Sequence, residues 1–108
     1  MAPVIFVDVD DTLVRSFGSK RIPISGMVAL VRELRGQGAE LYCWSTGGAD
    51  YARRAAEELG VSGCFEAFLP KPQGLLDDVD MRDWKVLHLH PAECTSLTAE
   101  EVLSRLKR

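Results

Sequence analysis

Residues Val4-Ile5-Phe6-Val7 form an unbroken run of β-branched and aromatic side chains, and the run ends in the acids Asp8, Asp10 and Asp11. A run of this kind predicts a buried strand over residues 3–7, and such strands sit in sheets whose faces are covered by helices. The acids at its end are the second constraint. Like charges this close repel each other and lose hydration when buried. A solvated turn tolerates them; a site built around a cation needs them. The period of two along a strand sends Asp8 and Asp10 to one site and turns Asp11 away to solvent.

The remaining pattern alternates between strand and helix. Residues Leu13 to Ile24 contain Phe17-Gly18-Ser19-Lys20-Arg21 and Pro23, which predicts a small hairpin or flap over about residues 14–24. Ser25 is placed to cap a helix that runs to about Gly36, with Met27, Leu30, Val31 and Leu34 on its buried face. A second strand is expected over residues 39–44. The tight turn Ser45-Thr46-Gly47-Gly48 follows, then a helix to Gly60 with Ala52, Ala55, Ala56 and Leu59 inward. Further short strands are expected at 65–69, 74–76 and 86–90. The last would put His88 and His90 on one face of a half-exposed edge strand. Thr98 and Glu101 form a capping box for a final helix carrying Val102, Leu103 and Leu106. Strands alternating with helices imply a three-layer, Rossmann-like α/β fold around a mainly parallel sheet, as one domain over residues 1–108.

Composition narrows the functional classes. A formal net charge of −3 gives no electrostatic case for nucleic-acid binding. Cys43, Cys64 and Cys94 are odd in number and widely spaced, which argues against a disulfide framework or a zinc site and fits a reducing cytoplasm. Neither a signal peptide nor a membrane span is expected.

In a parallel α/β sheet, ligands sit at the carboxyl ends of the strands. Asp8 and Asp10 follow the first strand, Ser45 and Thr46 the second, Lys71 the third, and Asp77 and Asp78 the segment 74–76. Carboxylates suit a hard cation such as Mg2+. A hydroxyl and free N–H groups at the Gly47-Gly48 helix start suit phosphate oxygens. A lysine neutralises both. This set makes sense for phosphoryl transfer, where catalysis is mostly positioning and charge stabilisation. Asp11, Asp80 and Asp83 are expected to be exposed, and Trp44 and Trp84 to serve packing. Arg15, Lys20 and Arg21 either steer an anionic substrate or form a solvated hairpin.

The stretch VIFVDVDDT resembles the first motif of the haloacid dehalogenase superfamily. Ser45 after LYCW resembles the second motif, Lys71 the third, and the acids of LLDD the fourth, so the resemblance spans residues 4–78. It implies an Mg2+-dependent phosphomonoester hydrolase. Asp8 would be the nucleophile, forming an aspartyl-phosphate. Asp10 would protonate the leaving oxygen and then activate water. Ser45 would bind phosphate together with Thr46 and Gly47. Thr12 would orient the loop, and Lys71 would stabilise the nucleophile and the phosphate. Asp8, the Asp10 carbonyl and Asp78 would hold the metal, with Asp77 beside them. Two departures stand out. Only five residues separate Lys71 from Asp77, and the 34 residues between Asp10 and Ser45 leave no room for a cap. A capless member implies a bulky or macromolecular phosphoester, or a neighbouring subunit as lid. The alternatives are a catalytically inactive module that binds a phosphorylated ligand or a partner protein, and a phosphotransferase.

Overall fold

Burial alternates along Glu40–Ser45: Leu41, Cys43 and Ser45 are buried, and Glu40, Tyr42 and Trp44 only partly. This strand lies at the centre of the sheet in the computed structural model, which describes residues 2–106. The elements in chain order are β1 (Val4–Asp8), β2 (Val14–Phe17), β3 (Lys20–Pro23), α1 (Ser25–Gly36), β4 (Glu40–Ser45), α2 (Ala49–Glu58), β5 (Phe65–Pro70), α3 (Pro91–Cys94) and α4 (Ala99–Leu106). Strands β1, β4 and β5 form a parallel sheet in the order β1-β4-β5. Strands β2 and β3 pair antiparallel as the flap, with Gly18 at the turn in the left-handed region (φ 63°).

The strand order decides where the core lies. Each crossover steps the same way across the sheet, and right-handed crossovers then place α1 and α2 on the same face. Val7, Leu41 and Cys43 from the sheet are buried with Val28, Val31 and Leu34 of α1 and with Ala52, Ala55 and Ala56 of α2. The small side chains of α2 let that helix approach the sheet closely. The other face carries Val4, Phe6, Tyr42 and Trp44. Phe6 stacks edge-on against Trp44 with ring centroids 4.8 Å apart, yet remains 43% exposed. The helical layer expected on that face is therefore missing among the described residues.

Two of the expected strands are missing as well. The segments 74–76 and 86–90 are irregular chain rather than strands, exposed except for Leu89, which is partly buried against the core. Apolar alternation gives a strand only where a free edge receives it, and here neither segment meets one. Asp77 Oδ1 instead accepts the Val79 N–H at 2.9 Å and turns the chain. His88 and His90 consequently share no strand face. His90 caps α3: its Nδ1 accepts from the Ala92 N–H at 3.0 Å, and Pro91 fills the first helical position.

Ser25 also differs from expectation. It is the first helical residue, and Ile24 occupies the capping position without a side-chain hydrogen bond. The flap dictates this, because the Ile24 N–H donates to the Leu13 carbonyl at 2.8 Å and holds Ile24 extended. The Thr98 capping box is present in both directions, with bonds of 3.2 and 3.1 Å to and from Glu101. Among the described residues, no helix is long and apolar enough to cross a membrane.

Leu41 is 0% exposed at the middle of the sheet. Leu41→Ala is expected to lower unfolding free energy by about 2–5 kcal/mol in urea titrations, the range for a buried leucine truncation in a poorly collapsible site. A loss below about 1 kcal/mol would mean that the helices can close over the gap.

Candidate active site

The turn after β1 is built around one carbonyl. Val9 O accepts from Leu13, Thr12 and Val14 N–H groups at 2.8, 3.2 and 3.2 Å. Closing so tight a turn forces Asp11 into the left-handed region, φ 62°, which aspartate tolerates better than most residues. Asp11 is exposed, as its phase along the strand implies. Asp8 ends β1, and Asp10 makes an isolated bridge to Val14, so both stand at the carboxyl edge of the sheet.

Each of these two acids has its own partner. Lys71 Nζ lies 3.3 Å from Asp8 Oδ1. The lysine is brought there by backbone, because its N–H donates to the Ser45 carbonyl at 2.9 Å and continues the β4–β5 ladder past Pro70. Its ammonium also sits 5.8 Å from the Trp44 ring centroid. Both members of the pair are about one-third exposed, so the pair contributes little stability. Its value is placement of a cation at the carboxylate. Thr12 Oγ1 stands 3.5 Å from Asp8 Oδ2, at the long limit of a hydrogen bond. Asp10 Oδ1 accepts from the Tyr51 hydroxyl at 2.7 Å. Burial, then this hydrogen bond, pushes the Tyr51 phenol up, so it remains a donor.

Ser45 is the buried polar residue of this edge, at 1% exposure. Its Oγ accepts the Gly47 N–H at 3.0 Å, and its carbonyl accepts the Gly48 N–H at 3.1 Å. The Gly47 N–H is therefore engaged with the serine rather than free for an anion, because a hydroxyl two residues back closes a local turn with it. Thr46 is exposed within the turn. Gly48 adopts φ 102°, a conformation that needs glycine. Gly47 serves a different need. A Cβ there would lie 3.0 Å from Tyr51 Cδ2, so the missing side chain admits the tyrosine ring.

The structure brings together Asp8, Asp10, Thr12, Ser45, Gly47 and Lys71. It does not bring Asp77 and Asp78 to them. Both are exposed in irregular chain, and no three His, Cys, Asp or Glu side chains among the described residues group to hold a metal. The expected strand was to deliver these acids to the sheet edge, and without that strand nothing aims them there. Asp80 and Asp83 are exposed as anticipated, and Asp80 pairs with Arg82 at 3.0 Å. Trp84 is exposed rather than packed in the core, and its indole N–H donates to the Val79 carbonyl at 3.1 Å within the same irregular segment. In the flap, Arg21 is not a free steering charge: it bonds Glu58 of α2 and lies over the Tyr51 ring. Tyr51 escaped the sequence reading altogether. Its signal was an aromatic residue in the first turn of the helix that follows Ser45.

No protein-family model matches the chain, and neither does the sequence of any curated protein. Among solved structures, the chain is similar to the crystal structure of an MCSG target from Vibrio cholerae, with a TM-score of 0.63, 19% identity and coverage of 97% of both chains. At that identity the likeness speaks to the fold: a small Rossmann-like α/β arrangement with a parallel sheet.

Behind the site, burial and then the charge of Asp8 push the Cys43 thiol from an ordinary 9.0 to about 12. The unfolded chain ionises this thiol first, so its contribution to stability is complete below pH 9.0 and disappears as pH rises toward 12. Between those limits the wild type should lose stability more steeply than Cys43→Ala, by up to ~1.4 kcal/mol per pH unit, in denaturant melts at stepped pH. Identical slopes would show that the thiol ionises freely in the folded state.

Proposed function

We propose that this chain is a phosphomonoester hydrolase of the haloacid dehalogenase type, working through an aspartyl-phosphate on Asp8. One observation carries this: Lys71, delivered from the end of β5 across β4, holds its ammonium 3.3 Å from Asp8 Oδ1, two residues before a second acid on the same turn. Asp8 Oδ attacks the phosphorus, and the ester P–O bond breaks. Asp10 gives its proton to the departing oxygen. Asp10 then takes a proton from water as the water oxygen attacks the aspartyl-phosphate, which frees inorganic phosphate and restores the Asp8 carboxylate. Lys71 offsets negative charge on Asp8 and on the phosphoryl group in both steps. The Ser45 hydroxyl, already accepting from Gly47, keeps its own proton to donate to a phosphate oxygen.

The donors at this edge are hard oxygens. Mg2+ takes one or two carboxylates plus substrate phosphate oxygens and keeps several waters, so Asp8 and the Asp10 carbonyl fit it as ligands. When bound, the ion supplies charge neutralisation at the phosphoryl oxygens. Among the described residues, only the flap and α1 separate the β1 turn from β4, and only α2 and one 3-10 turn separate β4 from β5, so neither crossover carries a cap-sized insertion, which favours a bulky ester as substrate. Three unbridged thiols suit a reducing compartment.

A second proposal, a module that binds a phosphorylated ligand without turnover, is favoured by the separation of Asp77 and Asp78 from the other acids. One assay separates the two. With Mg2+, the wild type is expected to hydrolyse 4-nitrophenyl phosphate, and Asp8→Asn to lose about 10³-fold or more in kcat. Lys71→Ala is expected to lose about 10²-fold. Equal turnover in Asp8→Asn would remove Asp8 as nucleophile. No wild-type turnover alongside calorimetric binding of inorganic phosphate would establish the binding module.

A further inference from the structure

The bond from the Tyr51 hydroxyl to Asp10 Oδ1 is 2.7 Å long and joins residues 41 apart in sequence. Three separate parts of the chain fix the ring that makes it. Gly47 leaves the space in which Cδ2 sits, since a Cβ there would come within 3.0 Å. Arg21, from β3 of the flap, places its guanidinium 5.2 Å from the ring centroid. Glu58, from the last turn of α2, holds that guanidinium through a 2.6 Å ion pair. The ring is thus anchored from the turn below, the flap above and the helix behind.

The consequence falls on Asp10. A carboxyl group at the end of a short side chain can rotate, and proton transfer needs one orientation. A hydrogen bond to Oδ1 stops that rotation and leaves Oδ2 as the oxygen that carries the proton. We propose that Tyr51 is a positioning residue for proton transfer by Asp10, held in place by Arg21 of the flap and by the open space at Gly47. This rests on the phosphatase assignment and adds to it a link between the flap and the acid–base group.

A structural tie and a positioning residue differ in what their loss does to different esters. Breaking the P–O bond of an alkyl phosphate requires a proton on the departing alkoxide. Breaking that of 2,4-dinitrophenyl phosphate does not, because the phenolate leaves unaided. The value of kcat/KM covers steps only through that bond cleavage. In Tyr51→Phe, which keeps the ring and removes only the hydroxyl, kcat/KM for an alkyl phosphate is expected to fall between about tenfold and 10²-fold. For the dinitrophenyl ester it should stay within about twofold. Arg21→Met should show a smaller loss confined to the same ester. A loss of equal size on both esters, or on neither, in an enzyme that Asp8→Asn inactivates would overturn the positioning role and leave the phosphatase assignment standing. A wild type that turns over neither ester would remove both.

Discussion

The carbonyl oxygen of Ser45 accepts two amides, those of Gly48 and Lys71, and the candidate site depends on that double acceptance. One bond starts the turn into α2, the other fixes where β5 lets the chain go. Ser45 can do this because β4 is hydrogen-bonded on both edges and lies at the centre of the sheet. Everything the site needs is then measured from one strand end: the acids of the β1 turn on one side, the lysine on the other, and the tyrosine one helical turn further on. A register slip in β4 would turn Leu41 and Cys43 outward and carry Ser45 away from the edge, so the packing that fixes the core also fixes the geometry of the candidate site.

Much of this was legible in the sequence, and the boundary of legibility is physical. Strands β1, β4 and β5, the flap and helices α1, α2 and α4 could be read because each is specified locally, by apolar period, turn glycines or a capping box. Asp8, Asp10, Ser45 and Lys71 could be placed because each follows such an element. The expected strands at 74–76 and 86–90 failed because a strand needs a partner edge, and alternation such as Leu87-His88-Leu89-His90 records hydrophobicity without recording a partner. Asp77 and Asp78 went with them. Tyr51 was missed for a different reason. A single aromatic residue in an alanine-rich helix carries no motif, and its role arises from contacts with residues 41 positions back and with the flap.

The flap takes on a different character once Arg21 is located. Its basic residues were compatible with steering an anionic substrate or with a solvated hairpin. In the structure its inner strand is tethered to α2 by an ion pair and by a cation over a ring. Arg15 and Lys20 remain exposed on it. The tether costs the flap freedom and gives the β1 turn a wall. On the opposite face of the sheet, Phe6, Tyr42 and Trp44 form an aromatic row that reaches Lys71 at the site's margin.

The long sequence separations inside this small site bear on when the candidate site assembles during folding. The turn carrying Asp8 and Asp10 closes over a few residues, and loops of that size form early and cheaply. Their partners are 41 residues away for Asp10 and further still for Asp8, and the flap's tether spans 37. Contacts of that range wait for the β1–β4 and β4–β5 pairings to bring distant segments together. A nascent chain that has emerged only through Ser45 holds both acids and neither of their partners. Assembly of the candidate site is therefore a late event, completed when the last parallel strand docks.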